Sequence, residues 1–516
     1  MRSFATRSGR ATEYRAAGYW SDRRPDHVRI AASDDGDRIA VIGRGSGATT
    51  YAQLDRRIDA AAETLRAASV PVGDPVVVVA GNDLDGVISL HAATRVGAVV
   101  VAVSRAAGPA DRSHAVAATA PGVGIAPPPL VAELARDHPD VAWLDASALG
   151  ATPSTADAIG AGVAVDPDAP ALVLFTSGTT ATPKGVVHAA NTLEVGAGYY
   201  IDAVGLTPDD RLFLVSPLAS ITGILQALVI APRLRCAVVL EDAFAPAASL
   251  DLLESTGATF YGGPDVVVAR LLEAARARGT DAIGLRSVAV GGTMLDATLL
   301  AAAEREFGIR VNRAYGSSEA PFSTGTTPAD PARVRATSDG RPGPGTELRI
   351  GTANDPGELA IRGPHVCLGY LDPADDGAAF DAGWFCTGDV AELDDDGLRI
   401  VGRIKDVAVR NGMKVSLAEV ERAVAAVAGV EACVAFRMAD AATGEHVAVA
   451  VRGGPDLDGI TAALLDAGLA TYKLPEERVA WSGPFPETAT GKVRRDDVAA
   501  RAPSLPRQTV GRLRGS

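Results

Sequence analysis

Lysine is nearly missing from this chain: its 516 residues include five lysines against 44 arginines. Arginine is the default cation here, so Lys184, Lys405, Lys414, Lys473 and Lys492 mark places where a compact, flexible ammonium suits and a planar guanidinium does not. Cysteine is scarce too. Cys236, Cys367, Cys386 and Cys433 lie far apart with no C-x-x-C pair, which argues against a disulfide framework or a thiolate zinc site and fits a reducing, cytoplasmic location. A basic excess is absent, with 49 Lys+Arg against 63 Asp+Glu and a net charge of -14, so nothing offers an extended surface to nucleic-acid phosphates. Long apolar runs are absent as well. The longest uncharged run, Phe213 to Pro232, is interrupted by Ser216, Pro217, Ser220, Thr222, Gly223 and Gln226, and reads as a buried loop and core helix rather than a membrane span. Met1 to Thr12 is rich in Arg and Ser without an apolar run, a loose arm rather than a signal peptide.

What remains is a globular composition, 47% hydrophobic and 22% charged, on a chain long enough for more than one domain. From about 28 to 168, short β-rich runs alternate with Ala-rich amphipathic stretches: Arg38–Ile42, Tyr51–Ala68, Pro75–Ala80, Asp85–Val96 and Ala98–Val103. That rhythm predicts an α/β domain with a parallel sheet. Ala151 to Pro170 reads as a connector before the strand Ala171–Phe175. A second α/β stretch covers 186 to about 315, with helices at Leu250–Ser255 and Asp265–Arg278 and strands near Arg235–Leu240 and Arg286–Val290. After Gly340, Gly- and Pro-punctuated short strands at Glu347–Ile350, Gly357–Ile361 and Gly397–Val401 predict an antiparallel β module. The last ~110 residues read as a small separate domain, with helices at Leu417–Val427 and Asp456–Ala467 and strands at Val430–Arg437 and His446–Val451. The tail Ala502–Ser516 has no apolar periodicity and is expected to be disordered.

The strongest chemical signal is Phe175-Thr-Ser-Gly-Thr-Thr-Ala-Thr-Pro-Lys-Gly185, directly after an apolar strand. Small hydroxyl residues and glycines let backbone N–H and side-chain O–H groups converge on phosphate oxygens, and Lys184 adds a positive charge. It is not a Walker A loop, whose lysine follows the last glycine and precedes Ser or Thr. Together with Tyr315-Gly-Ser-Ser-Glu319, Trp384-Phe-Cys-Thr-Gly-Asp389, Gly402-Arg-Ile-Lys-Asp406 and Thr488-Ala-Thr-Gly-Lys492, it resembles the adenylate-forming superfamily of acyl- and aryl-CoA synthetases and adenylation domains. The motifs fall in that superfamily's order and span essentially the whole chain.

The resemblance implies an α/β fold with a large, multi-subdomain N-terminal AMP-binding domain (1–403) that includes a β module. It further implies a small mobile α+β C-terminal domain (404–516) hinged at Lys405. It implies ATP, Mg²⁺ and CoA as cofactors: a carboxylate attacks the α-phosphate to give an acyl-adenylate, and a thiol then takes the acyl group. Thr176, Ser177, Gly178, Thr179, Thr180 and Lys184 match the phosphate-binding loop, and Glu319 matches the magnesium ligand. Gly292, Thr293, Tyr315 and Gly316 match the adenine site, Ser318 stands near the α-phosphate, and Asp389 and Arg403 match the ribose contacts. Lys492 matches the lysine that bridges the substrate carboxylate and the α-phosphate. Gly412 matches the point where a pantetheine arm passes, and Lys414 and Lys473 are left as surface or acceptor-side charges.

The matching acyl pocket comprises Ser216 to Gly223 with Ser220, Tyr261 to Gly263 with Gly262, Gly291 and Gly316. Pro217-Leu-Ala-Ser220 lacks the aspartate with which amino-acid-activating relatives hold an ammonium, and the neutral walls favour an alicyclic, aromatic or medium aliphatic acid. Ser220 replaces the histidine or aromatic of many acyl-CoA synthetases, and Ala181 replaces a usual glycine. Tyr14-Arg-Ala-Ala-Gly-Tyr-Trp20 is similar to the start of 2,3-dihydroxybenzoate-activating enzymes and cyclohexanecarboxylate-CoA ligase-like proteins. Two other readings stay open: a stand-alone enzyme that loads a carrier protein, and a catalytically silent nucleotide-binding homologue. The partners implied are a small carboxylic acid and CoA or a carrier protein, with room for a homodimer and no nucleic acid or membrane.

Overall fold

The computed structural model describes residues 10–23, 25–29, 35–45, 47–151, 165–176, 183–291, 297–353, 355–411, 413–440, 442–486 and 493–511. Its contacts divide the chain into two compact units, one of Met1–Arg349, Ala360–Cys386 and Leu393–Arg399, the other of Ile350–Leu359, Thr387–Glu392 and Ile400–Ser516.

The larger unit is built on two sheets. The first, seven-stranded, runs in the order Gly369–Tyr370, Lys184–Ala189, Pro170–Thr176, Val99–Ser104, Pro75–Ala80, Val123–Ala126, Ala142–Asp145. Pro75–Ala80 and Val99–Ser104 are Val-rich because both sheet faces are covered. Val76, Val78 and Val100 feed one apolar cluster, while Val77, Val79 and Val101 feed another on the opposite face.

The second sheet has nine strands, with Arg310–Tyr315, Ser287–Val290, Phe260–Gly263, Arg211–Leu214, Ala237–Leu240 and Ile39–Gly43 all parallel at its centre. Leu212, Leu214 and Val238 enter the same cluster as Val76 and Val100, so one core joins the two sheets. Helices Tyr51–Ala67 and Leu84–Arg95 line that core. The first starts with a capping box between Thr50 and Gln53, and Asp83 caps the second. Arg95, on the second helix, is buried where its guanidinium meets Asp26 at 2.9 Å, Asp55 at 2.7 Å and Asp59 at 3.0 Å.

The expected antiparallel module is a five-stranded sheet of Glu347–Ile350, Glu358–Arg362, Trp384–Asp394, Phe380–Asp381 and Gly397–Arg403. A six-stranded sheet centred on Gly444–Gly453 organises the smaller unit, covered by helices Leu417–Ala425, Leu457–Asp466 and Arg495–Arg501.

The run from Phe213 onward is, as expected, a strand end, a loop and a helical stretch, but that stretch has an unforeseen form. Ile224–Ile230 is wound as a π-helix between α-helical ends. The tail corrects the sequence reading. Ala502–Ser504 forms a tight turn, and Arg507–Thr509 pairs antiparallel with Glu477–Ala480. Ala502 is buried beside Val498 and Trp481, and Leu505 packs against them. A strand of three residues is too short to show a period, which is why the sequence reads as structureless there. The four cysteines are thiols rather than disulfides, and burial pushes the thiols of Cys236 and Cys433 up to about 12. No helix among the described residues is long and apolar enough to cross a membrane.

Candidate active site

Several candidate residues of the larger unit come from separate stretches of chain and follow the ends of neighbouring strands of the nine-stranded sheet. Four neighbouring parallel strands end at Leu214, Gly263, Val290 and Tyr315, and the residues that follow each end include Ser216, Gly291 and Gly316. The carboxyl edge of a parallel sheet is where open α/β folds bind ligands, since the loops there are free of strand pairing.

The phosphate-loop motif leaves the other sheet. Pro170–Thr176 and Lys184–Ala189 form an antiparallel pair with Thr176 opposite Lys184, so the two ends of the loop are tied together. Ser177, Gly178, Thr179, Thr180 and Ala181 lie outside the described residues, as do Gly292 and Thr293. The Lys184 ammonium stands 3.2 Å from Asp375 Oδ1 and 5.1 Å from the centre of the Tyr370 ring.

Glu319 is gripped from several sides. Ser317 Oγ accepts the N–H groups of Glu319 and Ala320, both at 3.2 Å, and folds the loop back on itself. The Cys367 N–H donates to the Glu319 carbonyl at 2.7 Å, and Tyr370 Oη donates to Glu319 Oε1 at 2.7 Å. His188 Nε2 lies 2.6 Å from the Ser318 carbonyl, which only accepts, so that nitrogen carries the proton and Nδ1 accepts from Thr192 Oγ1 at 2.9 Å. Burial holds the His188 imidazole neutral, with its pKa lowered to about 4. Tyr315 is 8% exposed at the end of its strand.

Sequence reasoning did not assign Tyr370, Asp375 or His188 a place around Glu319 and Lys184. Tyr370 is 51 residues from Glu319, so no local spacing connects them. The one available signal was the Leu368-Gly-Tyr-Leu371 run, which pairs as a short strand with Val186 and Val187.

In the acyl-pocket group, Gly262 touches a polar pair. Gln226, from the π-helix, donates through Nε2 to the Gly262 carbonyl at 2.9 Å and to Tyr200 Oη at 3.3 Å. A Cβ on Gly262 would stand 1.9 Å from Tyr200 Oη, so only glycine fits. The Tyr200 ring stacks on Phe322 at 4.6 Å and burial pushes its phenol pKa well up. Tyr261 sends its ring into the opposite core against Phe213, and its hydroxyl donates to the Pro264 carbonyl at 3.0 Å. The Ser220 hydroxyl is used internally: it donates to the Pro217 carbonyl at 2.7 Å and caps the following helical turn by accepting the Gly223 N–H at 3.1 Å.

In the smaller unit, Asp389 and Arg403 come together. Arg403 Nε donates to Asp389 Oδ1 at 2.7 Å, with the carboxylate 6% exposed and the guanidinium 54% exposed. Thr387 Oγ1 accepts the Asp389 N–H at 3.0 Å, and Glu358 Oε1 accepts the Gly388 N–H at 2.8 Å. Gly388 sits at φ +71°, a left-handed turn that favours glycine. The sequence suggests an exposed Trp-Phe-Cys approach to this loop, but Phe385 and Cys386 are both buried; as neighbours on a strand they face opposite sides, so both faces are covered there. Trp384 is half-buried under the guanidiniums of Arg349 and Arg362, whose carbons stand 4.7 and 4.3 Å from a ring centre. Lys405 falls in the turn Ile404–Asp406, and Lys473 pairs with Glu419 at 2.7 Å. Lys492 and Gly412 lie outside the described residues.

The chain matches the AMP-binding enzyme family over residues 28–371 and belongs to it. Over 476 residues it is 31% identical to the indoleacetate–CoA ligase of Aromatoleum aromaticum, covering 87% of this chain and 92% of that one. It is 29% identical over 535 residues to the salicyl-AMP ligase / salicyl-S-ArCP synthetase of Mycobacterium tuberculosis, covering 94% and 92%. The fold matches that of the o-succinylbenzoate-CoA synthetase of Bacillus subtilis, solved with its acyl-adenylate, with a TM-score of 0.81 over 92% of this chain and 98% of that one at 24% identity.

Proposed function

We propose that the protein is an ATP- and Mg²⁺-dependent carboxylic acid–CoA ligase of the cytoplasm, acting on an aromatic, alicyclic or medium aliphatic acid. The observation that carries this reading is family membership together with the approach of Glu319 and Lys184 to one tyrosine, Tyr370. In the first half-reaction a carboxylate oxygen of the acid attacks the α-phosphorus of ATP, the P–O bond to the β-phosphate breaks, and pyrophosphate leaves. In the second, a thiolate attacks the acyl carbon and AMP leaves.

Such chemistry asks the protein chiefly to position groups and neutralise charge. Lys184 and the residues Thr176 to Thr180 would hold the β- and γ-phosphates, Tyr315, Gly292, Thr293 and Gly316 the adenine, and Asp389 with Arg403 the ribose. Ser318 and Lys492 would face the α-phosphate, and Ser220, Tyr261, Gly262 and Gly291 would border the acyl group. A single carboxylate suits Mg²⁺ that arrives on the phosphates of its nucleotide, and Glu319 Oε1 takes one hydrogen bond from Tyr370 while the side chain stays partly exposed. That ion would supply charge neutralisation at the phosphates.

The test is pyrophosphate release with ATP and Mg²⁺ across benzoates, cyclohexanecarboxylates, linear acids and amino acids, with and without CoA, followed by mass spectrometry. Acid-dependent release with acyl-CoA as product is expected. A carrier protein's thiol is the second reading, favoured by the likeness to the salicyl-S-ArCP synthetase. In that case release continues but free CoA stays unacylated and a holo-carrier protein is loaded. No release with any acid would leave only a silent nucleotide-binding homologue.

The turn at Lys405 would serve as the hinge of a mobile domain beginning near residue 404, with Gly412 admitting the pantetheine arm. Lys405→Pro would stiffen that hinge, since proline fixes φ and removes an N–H. The expected result is normal pyrophosphate release with acyl-CoA formation lowered at least tenfold; normal thioester turnover would refute the hinge role.

A further inference from the structure

We infer that Tyr370 is a positioning residue that holds the acid and the base of the phosphate site apart; this rests on the ligase reading above. Glu319 and Lys184 have opposite charges and would both face the nucleotide's phosphates and metal. Left free, such a pair attracts. It would then close on itself and neutralise the site before any nucleotide arrived. In this structure they do not pair. Among the described residues Glu319 takes the Tyr370 hydroxyl and Lys184 takes Asp375.

Tyr370 can act as a spacer because nothing about it is loose. Its backbone is paired with Val186 in the two-residue strand Gly369–Tyr370, and the Leu371 N–H donates to the Gly185 carbonyl at 2.7 Å. Its own N–H donates to Asp376 Oδ1 at 2.9 Å, and its ring meets Phe380 edge-on at 6.2 Å. The ring is 5% exposed. The phenol can therefore reach in one direction, and it donates to Glu319 Oε1 at 2.7 Å. A carboxylate only accepts, so the phenolic proton lies on this bond and fixes the rotation of the carboxylate. The Lys184 ammonium stands 5.1 Å from the centre of the same ring.

The experiment uses the full-length protein, Mg²⁺ and a non-hydrolysable ATP analogue, with calorimetry as the readout. Tyr370→Phe keeps the ring and removes the hydroxyl. The Mg²⁺ concentration for half-maximal analogue binding should rise about tenfold, which is 1.4 kcal/mol, while analogue binding in EDTA and the unliganded melting temperature stay as in the wild type. A residue with only a structural role would instead lower the melting temperature. In a Glu319→Gln background the Tyr370→Phe change should add nothing, since the group it orients is gone. An unchanged Mg²⁺ dependence in Tyr370→Phe, or equal shifts in both backgrounds, would overturn the spacer role alone. A wild-type protein that binds the analogue neither with nor without Mg²⁺ would overturn the ligase reading and the spacer role with it.

Discussion

Replacing Lys492 with alanine is expected to slow acid-dependent pyrophosphate release by roughly 10²- to 10³-fold, the loss seen when one pre-placed donor to a developing charge is removed. ATP affinity, measured by calorimetry, should stay within about twofold. The reason for the split is where the charge sits. In the proposed ground state the triphosphate would already be neutralised by Mg²⁺, by Lys184 and by the loop, whereas an incoming carboxylate would bring a second negative charge toward the α-phosphate only on the way to the adenylate. A bridging ammonium lowers that barrier without adding to nucleotide binding. A chemically prepared acyl-adenylate should still pass its acyl group to CoA in the variant, because thioester formation has no need of the bridge. Unchanged pyrophosphate release would refute the role, and so would a parallel loss of adenylation and ATP affinity.

The second large effect is on stability in acid. His188, His365 and His91 are buried in the larger unit, and burial lowers the pKa of each, to about 4 for His188 and about 3 for His365. His365 is further depressed by nearby His188, and His91 feels Asp26 and Arg95. In the unfolded chain all three would titrate near 6.5. Between about pH 6.5 and 4 the unfolded chain therefore binds more protons than the folded one, so stability is full above that window and falls as pH drops through it. With all three histidines protonated only on unfolding, the slope reaches roughly 4 kcal/mol per pH unit at its steepest. Urea unfolding at intervals from pH 7 to 4.5 should show this fall, and His188→Gln should make it shallower by about one proton. An identical slope in the variant would mean that His188 is not one of the acid-labile groups. His188 also donates to the Ser318 carbonyl beside Glu319, so the acid-sensitive groups include one that holds the candidate metal ligand in place.

Much of this architecture was legible because it follows from two simple periods. Pro75–Ala80 reads as a buried strand from its valines alone, and Asp265–Arg278 as a helix from its start after Pro264 and its stop before Gly279. The phosphate-loop motif, Glu319, Asp389 and Arg403 could be singled out as candidates because the chemistry proposed for them depends on residue types packed into short motifs. Tyr370 and His188 escape the same reading because their roles depend on partners 51 and 130 residues away, and ordinary apolar strands carry them. The Ser220 hydroxyl was expected at the pocket and is engaged in a helix cap, a competition between substrate and backbone that only coordinates display. The tail misled for the opposite reason: what orders Arg507–Thr509 is an open sheet edge at Glu477–Ala480, and nothing in the tail's own composition announces it.

The π-helix of Ile224–Ile230 has a consequence for anyone who reshapes the acyl pocket. Its i→i+5 pattern accommodates one residue more than an α-helix would over the same span. Deleting a single residue there would let the segment relax to α-geometry between flanks that keep their register, and change which side chains within it face the pocket. Gln226 would leave Gly262, and the Ala227 carbonyl would leave the His91 imidazole that it now receives. The strands Arg211–Leu214 and Ala237–Leu240 that flank the segment are locked in the sheet by their own ladder and would stay. One codon thus separates two windings of this segment between strands that hold their places.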